Sequence, residues 1–291
     1  MLIDTHAHLD FPDFAGDLDA VLARAAAAGV TRIITIGTSV EGSQRAVALA
    51  EKHPQVFAVV GVHPNSAGEA PENFVAELRE LARHPRVVAI GETGLDYHRL
   101  PGERLLQPPP AYAAGMPHTD PQEIEAAIRD GAVKERQAEV FLHQLELAAE
   151  LGLNVVIHER DAWADTLELL RPYSGRVRAV FHCFGKPPDA LQQVLDLGHL
   201  VSFTGIVTFK NATLAQDSVR VVPADRFMVE TDCPFLAPAP ERGKRCEPAH
   251  TRATAEAIAV LRGATLEQIA TQSTATADGF FRFAAARPGE A

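Results

Sequence analysis

The sequence predicts a (β/α)8 TIM barrel, in which eight parallel strands alternate with helices around a closed sheet. Apolar, β-branched runs occur eight times, and a helical stretch separates each pair of successive runs. The length of 291 residues also suits this fold, since such a barrel takes about 250 residues as one domain. The chain has neither internal repeats nor the G-x-G-x-x-G fingerprint that would favour an open dinucleotide-binding sheet. We therefore expect no dinucleotide cofactor.

The strands are predicted from short runs of valine, isoleucine and other apolar residues. Continuous runs of this kind are typical of parallel strands, because helices cover the sheet and leave no solvent-facing side. The predicted strands cover residues 1–3, 30–37, 56–61, 87–91, 154–157, 178–181, 200–203 and 226–229.

The helices are predicted from alanine- and leucine-rich stretches between the strands. The first of them stops before Gly29, a residue type that commonly follows a helix end. The predicted helices cover residues 14–28, 41–52, 73–83, 121–151, 162–170, 189–197, 214–221, 250–261 and 266–272. The longest of them carries Gly131, where we expect a break.

One stretch interrupts the alternation of strands and helices. Six prolines crowd residues 98–121, and no helical or strand period survives there. Because the alternation resumes directly afterwards, we interpret this stretch as a loop inserted after the fourth strand. We expect one domain over residues 1–283, with a loose tail at 284–291.

Charge and cysteine content limit the cellular setting. The net charge of −11 argues against tight, non-specific coating of long duplex DNA. Three cysteines, at 183, 233 and 246, include no C-x-x-C pair and are too few for a disulfide framework, which fits a reducing compartment. No secretion-signal pattern and no apolar run of about 20 residues is present. We expect a cytoplasmic protein without a membrane partner.

Histidines and carboxylates cluster at the predicted strand ends. His6 and His8 are two residues apart on an extended chain, so both side chains project to the same side. Any single histidine after a strand is more often an ordinary loop residue than a ligand. Strand ends of a parallel barrel nevertheless open onto one face, where the remaining candidates would converge. These candidates are His63, Glu92, His158, His182 and Asp232.

This ligand chemistry indicates a catalytic metal site. Imidazole and carboxylate without thiolate suit zinc, manganese, iron or magnesium in hydrolytic centres. The candidates outnumber the ligands that one tetrahedral ion needs, which favours two ions about 3.5–4 Å apart.

Seven motifs together resemble the TatD family of metal-dependent deoxyribonucleases. The resemblance covers nearly the whole chain, and the order of the motifs is specific to that family. The motifs are residues 4–9, 61–64, 91–97, 156–161, 181–185, 230–236 and 242–245. Three departures accompany it: the insertion at 98–121 is long, and Cys246 and Thr276 stand where asparagines are usual.

The resemblance implies a complete set of site residues. It gives one metal to His6, His8 and Asp232, a second metal to His158 and His182, and a bridging role to Glu92. The two divalent ions would be Mg, Mn or Zn. Residues that contact phosphate or organise the site would be His63, Arg160 and Glu230.

The expected reaction is hydrolysis of DNA phosphodiester bonds by a two-metal mechanism. Glu92 and Asp232 are the expected catalytic carboxylates, with Asp232 accepting a proton from water. A basic run of Arg242, Lys244 and Arg245 is expected to hold a DNA end, although a solvated loop explains it equally well. The acidic chain favours a short footprint, and hence an exonuclease that acts on single-stranded ends. The family resemblance implies the 3'-5' direction and a role in DNA repair or degradation.

Two other classes remain open from the sequence. A metal-dependent amidohydrolase or esterase, including one that deacylates aminoacyl-tRNA, would use the same ligands. A non-catalytic interaction protein would use the barrel as a scaffold only. Release of nucleotides separates the first alternative from a nuclease, and metal binding argues against the second.

Overall fold

The computed structural model describes residues 1–98, 100–101 and 121–283. Most of the predicted inserted loop at 98–121 and all of the predicted tail at 284–291 therefore lie outside the described residues. The described strands are β1 Leu2–Ala7, β2 Val30–Ile36, β3 Val56–Val60, β4 Val87–Asp96, β5 Asn154–Arg160, β6 Ala179–Phe181, β7 Leu200–Phe203 and β8 Phe227–Val229. The described α-helices are α1 Leu18–Ala27, α2 Val40–Lys52, α3 Phe74–Leu81, α4 Pro121–Leu151, α5 Trp163–Leu170, α6 Pro188–Asp196, α7 Thr213–Val221, α8 Thr251–Arg262 and α9 Leu266–Phe281.

The eight strands form one parallel sheet in chain order. Each strand pairs with the next, from β1 to β8. The ring closes just beyond β8, where Ala7 bridges Cys233 and the Asp232 N–H donates to the His6 carbonyl at 2.8 Å. Helices follow the strands in alternation, so the prediction of a (β/α)8 barrel is confirmed.

Three strands run further than the sequence predicts. β1 continues past Ile3 to Ala7, β4 past Gly91 to Asp96, and β5 past Ile157 to Arg160. The extensions of β4 and β5 pair with each other, with Gly94 opposite His158. A polar residue after an apolar run indicates a strand end, but here the polar side chains belong to the site while the backbone continues to pair. Placing His6, Glu92 and His158 after their strands was therefore wrong, because all three lie within them.

Three helix predictions also need correction. The first helix is shorter than predicted, because residues 12–14 form a separate 3-10 turn and α1 begins at Leu18. α4 runs without interruption through Gly131, so the predicted break is wrong. α9 extends nine residues beyond the predicted end at Gln272. No helix among the described residues combines the length and apolar character that a bilayer crossing requires.

The barrel interior is a core of its own. Ile34, Val59 and Val156 belong to this inner cluster, whereas neighbouring residues such as Ile33 and Val155 face the helices. Phe280 and Phe281 of α9 fill the end at which the strands begin, and Asn154 donates there to the Phe280 carbonyl. Apolar side chains thus fill one end of the barrel and leave the other end for polar groups.

A break in strand alternation directs the first histidines inward. Ile3 packs in the inner cluster, but Ala7 packs in the outer one, although strict alternation would place both on one face. The register of β1 against β2 shifts between Asp4 and Ala7. Such an irregularity re-aims the side chains that follow it, and it leaves His6 and His8 opposite Ala7, on the inner face.

Candidate metal centre

Three ligand atoms meet where β1 approaches the segment after β8. The Nε2 atoms of His6 and His8 lie 3.6 and 3.3 Å from Asp232 Oδ1, within a group whose ligand atoms are all within 4.8 Å of one another. The His6 side chain is fully buried, and among the described residues its Nε2 makes no hydrogen bond of good geometry, although Glu92 Oε2 lies 3.3 Å away. A buried nitrogen that faces carboxylate oxygens without a hydrogen bond fits a cation held between His6, His8 and Asp232.

A second group of nitrogens surrounds the other side of Glu92. His158 Nδ1 and His182 Nε2 each lie 2.8 Å from Glu92 Oε1. Glu92 Oε2 instead faces His6 and His8, at 3.3 and 3.8 Å from their Nε2 atoms. The carboxylate is almost fully buried and presents one oxygen to each pair of histidines.

The charges of this cluster are strongly coupled. Burial alone would raise the pKa of Glu92, but the imidazoles of His182, His6 and His63 outweigh burial and hold this pKa well below its usual range. Burial would lower the pKa of His182, yet the carboxylates of Glu92 and Glu230 raise it well above the usual value. Without a metal, protons on imidazole therefore balance the buried carboxylates. Ligation requires neutral imidazole, so a metal displaces these protons.

Asp232 stays ionised at the open side of the centre. Hydrogen bonding to His8 and the nearby His6 and His182 outweigh burial and lower its pKa. Its side chain is 15% exposed, against 3% for Glu92. The residue has φ of +60°, and its carbonyl accepts the Phe235 N–H at 3.0 Å, which fixes the turn after β8. A positive φ is tolerated by aspartate better than by most residues.

Second partners fix the orientation of the rings. His8 Nδ1 lies 3.2 Å from the Ile36 carbonyl, and His158 Nε2 lies 3.2 Å from Asp96 Oδ2. When the nitrogen that faces the oxygen carries the hydrogen of the ring, the other nitrogen of the same ring has none and is free to bind a metal. Burial would raise the pKa of Asp96, but hydrogen bonds from His158 and from the His98 backbone lower it to about 2.

Glu230 lies behind His182 and is 1% exposed. Its Oε1 accepts the Cys183 N–H at 2.7 Å and lies 3.5 Å from His182 Nδ1, and its Oε2 accepts the Ser202 hydroxyl. Of the two roles that the family resemblance implies, this position favours organising the site over contacting phosphate.

His63 is placed as a hydrogen-bond donor. Its Nδ1 accepts the Asn65 N–H at 3.0 Å, so the neutral ring carries its hydrogen on Nε2, 3.7 Å from Glu92 Oε1. Burial lowers its pKa to about 3, which keeps the ring neutral. Three ligand atoms of His63, Glu92 and His158 do lie close enough to hold a metal. The hydrogen on Nε2 favours a contact with an oxygen of the substrate instead.

The predicted substrate cations differ in their surroundings. Arg160 is exposed and lines a pocket of about 240 Å³ together with His182 and Lys186. Lys244 pairs with Glu241 at 2.6 Å, and Arg245 pairs with two carboxylates. Those two cations are thus already neutralised. Arg242 is exposed and stacks over the Phe209 ring at 4.5 Å.

Two further aspartates belong to the site and were not assigned from the sequence. Asp96 holds His158, and Asp4 accepts the N–H and hydroxyl of Thr231 at 2.9 and 2.6 Å, which joins β1 to the segment after β8. Asp96 follows the period of two on β4, at Glu92, Gly94 and Asp96. That spacing is the signal that finds Asp96 once β4 is known to continue. Asp4 precedes the break in the alternation of β1, so the same spacing does not find it.

The two asparagine replacements lie at opposite ends of the barrel. Cys246 is buried, and its N–H donates at 3.0 Å to the carbonyl of Pro234, two residues after Asp232. Thr276 lies on α9, where its hydroxyl donates to the Gln272 carbonyl, and it lines a pocket with Arg178, just before β6 begins. This places Thr276 at the opposite end of the barrel from the metal centre.

Histidines and carboxylates gathered at the carboxyl ends of parallel strands define the class of metal-dependent hydrolases built on a (β/α)8 barrel. Within that class, the chain belongs to the TatD related DNase family, whose model matches residues 3–282.

Individual relatives agree with this membership. A Bacillus subtilis protein called uncharacterized metal-dependent hydrolase YabD is 37% identical over 283 residues, which cover 97% of this chain and 99% of the relative. An Enterobacter lignolyticus protein called 3'-5' ssDNA/RNA exonuclease TatD is 37% identical over 268 residues, covering 90% and 92%. The crystal structure of YjjV, a TatD homolog from Escherichia coli, is 28% identical with a TM-score of 0.80 and covers 97% and 98% of the two chains.

Proposed function

We propose that this protein is a deoxyribonuclease that removes nucleotides from single-stranded DNA ends in the 3'-5' direction, in DNA repair or degradation. The observation that carries the proposal is Glu92, which presents one carboxylate oxygen to each of two histidine pairs. Two-metal sites of this kind are common among enzymes that cleave phosphate esters. The name of the Enterobacter relative, 3'-5' ssDNA/RNA exonuclease TatD, supports a single-stranded nucleic acid as the substrate and the 3'-5' direction.

Two divalent ions fit the donor set. His6, His8 and Asp232 would hold one ion, His158 and His182 the other, and Glu92 would contact both. Nitrogen and oxygen donors without sulfur suit Mg, Mn or Zn. When bound, such ions activate water, neutralise phosphoryl charge and stabilise the leaving oxygen.

The side chains of the chain position the phosphate and move the proton. Asp232 is ionised and partly exposed, so its carboxylate is placed to accept a proton from the attacking water. His63 donates from Nε2 to a phosphate oxygen, and Arg160 binds another from the pocket beside His182. Asp96 and Glu230 keep His158 and His182 in their orientations.

The distribution of charge supports a short substrate contact. The net charge is −11, and Lys244 and Arg245 are paired with carboxylates of the chain itself. Few cations are then left to neutralise DNA phosphates. We expect the affinity for an oligonucleotide to fall only slightly with added salt, and a steep salt dependence would contradict the short footprint.

End-labelled oligonucleotides test the function. The purified protein is incubated with single- and double-stranded DNA, labelled at either end, with Mg²⁺, Mn²⁺ or Zn²⁺ and with chelator. We expect a 5'-labelled single strand to shorten stepwise and a 3'-labelled one to release labelled mononucleotide at once. Asp232→Asn should abolish this activity, and Asp217→Asn, a surface change on α7, should preserve it.

Three outcomes would contradict the proposal. Digestion that survives both chelation and Asp232→Asn would come from a contaminant. Stepwise shortening of the 3'-labelled strand would reverse the direction. Metal-dependent cleavage of amide, ester or aminoacyl-tRNA substrates without nucleotide release would favour the amidohydrolase or esterase class instead.

A further inference from the structure

An exposed aromatic ring stands beside the metal centre. Phe235 is 52% exposed, although nearly all other phenylalanines among the described residues are buried or half-buried. It follows Asp232 by three residues, and its N–H donates to the Asp232 carbonyl at 3.0 Å. The same turn therefore fixes both the metal-ligating carboxylate and the ring.

Phe235 is one member of an aromatic group on the His8 side of the centre. Phe11 stacks on the His8 ring with centroids 4.8 Å apart and an interplanar angle of 23°. Phe235 meets Phe11 edge-on at 6.0 Å and His8 at 6.4 Å. An apolar wall thus continues directly from a metal-ligating ring to the surface.

Phe235 is the exposed member of this wall, whereas Phe11 is half-buried. A single exposed apolar residue is ordinary on a protein surface and needs no explanation by itself. Phe235, however, leaves about half of its surface in water next to a strongly polar cluster. In a nucleotide, a flat base is joined through one sugar to the phosphate. A phosphate bound at Glu92 and Asp232 would place a neighbouring base beside the Phe235 ring.

We infer that Phe235, supported by Phe11, stacks on the nucleobase next to the phosphate that is cleaved. The inference rests on the proposed nuclease function and names how that site holds its substrate. Stacking accepts every base, because each base has a π-face, so we expect little sequence preference at this position. Stacking on Phe235 also favours single strands, because their bases are not held in the base stack of a duplex.

The test compares ordinary and abasic substrates. Single-stranded oligonucleotides carry either normal nucleotides or tetrahydrofuran abasic residues at their last two positions, and kcat/KM is measured with wild-type metal-loaded protein, Phe235→Ala and Phe235→Trp. Removing one stacking partner is expected to lower kcat/KM by about 5- to 160-fold. For the wild type, we expect kcat/KM to be lower by this factor on the abasic substrate than on the normal one. For Phe235→Ala, kcat/KM on the normal substrate should be lower than that of the wild type by the same factor, and it should not fall further on the abasic substrate. Phe235→Trp should retain the activity of the wild type on the normal substrate.

Controls separate stacking from damage to the fold. Val260→Ala removes a side chain that is 83% exposed on α8, and we expect no change in kcat/KM. Mn²⁺ affinity of Phe235→Ala should equal that of the wild type. Equal cleavage of normal and abasic strands by the wild type would overturn the inference and leave the nuclease proposal standing. An equal loss on both substrates in Phe235→Ala would also overturn it. Absence of cleavage of any oligonucleotide would instead contradict the proposed function itself.

Discussion

At the scale of single residues, Glu92 and its neighbours decide what the barrel mouth binds. Glu92 is buried among histidines, and their charge lets it stay ionised despite burial. A carboxylate in this position needs cations around it, whether imidazolium or metal. The residues that orient those histidines therefore control whether a metal ion or protons on the imidazoles balance the charge of Glu92.

Asp96 offers the sharpest test at this scale. Asp96→Asn removes the charge that holds His158 Nε2 and permits the ring to turn or to change its tautomer. We expect Mn²⁺ affinity to fall about 10- to 100-fold, as is usual for loss of such a partner, with little change in the unfolding temperature. Calorimetric titration of the metal-free protein measures the affinity.

A surface aspartate provides the matched control for Asp96. Asp217→Asn affects only an ion pair with Arg220 on α7, and we expect unchanged Mn²⁺ affinity. If Asp96→Asn binds Mn²⁺ as tightly as the wild type, Asp96 does not position His158 for a metal.

At the scale of elements, the paired extensions of β4 and β5 carry the second half of the site. Gly94 has φ of +139°, and a Cβ there would overlap the His158 carbonyl. Gly94→Ala should force these strands apart and lower stability by more than about 1 kcal/mol, and it should also weaken Mn²⁺ binding. Thermal unfolding and Mn²⁺ titration measure the two effects.

Gly131 is the control for Gly94. It lies within α4 with open space around it, so Gly131→Ala should stabilise the protein by roughly 0.5–1 kcal/mol without altering Mn²⁺ binding. A Gly94→Ala protein as stable as the wild type would show that the close approach of β4 to β5 is not required.

The elements also show what the sequence can predict. Apolar runs such as 30–37 and 200–203 are sufficient to locate the strands, because a strand buried on both faces is a nearly continuous run of apolar residues. The ends of β1, β4 and β5 were missed because polar residues such as Asp4, Glu92 and His158 resemble strand ends. Gln137 and Gln144 of α4 were missed as well. They bond the backbone of Asp96 and Val62, a role that long-range contact determines and local pattern does not.

At the scale of the whole molecule, a buried histidine far from the metal centre links stability to pH. His199 precedes β7 and is 1% exposed, and its Nδ1 accepts the Ala179 N–H at 3.2 Å. Burial, helped by Arg178, lowers its pKa to about 4, against about 6.5 in the unfolded chain. Between about pH 4 and pH 6.5 the unfolded chain therefore binds one more proton, on His199, than the folded chain does. Stability from neutral His199 is complete above pH 6.5 and is lost as the pH falls towards 4.

Urea unfolding between pH 7 and pH 4 measures this effect. We expect the wild-type free energy of unfolding to fall by about 3 kcal/mol more than that of His199→Asn, in which an amide oxygen accepts the same N–H. Chelator in all samples removes the contribution of metal binding. Parallel pH profiles for the two proteins would mean that His199 is not held neutral by the fold.

The sequence predicts that the candidate ligands converge, and the structure does bring them together, while their role as metal ligands stays a prediction. His6, His8, His158, His182, Glu92 and Asp232 lie far apart in the chain, and only the barrel topology brings them together. The sequence could not predict which of the basic side chains form ion pairs with carboxylates of the chain itself. Lys244 and Arg245 form a basic run in sequence, but carboxylates that neutralise Arg245, such as Asp17, come from the other end of the chain.

Metal stoichiometry tests the central claim most directly, namely that Glu92 joins two ion sites. Mn²⁺ is titrated into the metal-free wild type and into Glu92→Gln, with circular dichroism to confirm that both are folded. We expect two Mn²⁺ ions per wild-type chain and weaker binding at both sites in Glu92→Gln. One ion per wild-type chain, or a loss confined to one site in Glu92→Gln, would contradict a centre bridged by Glu92.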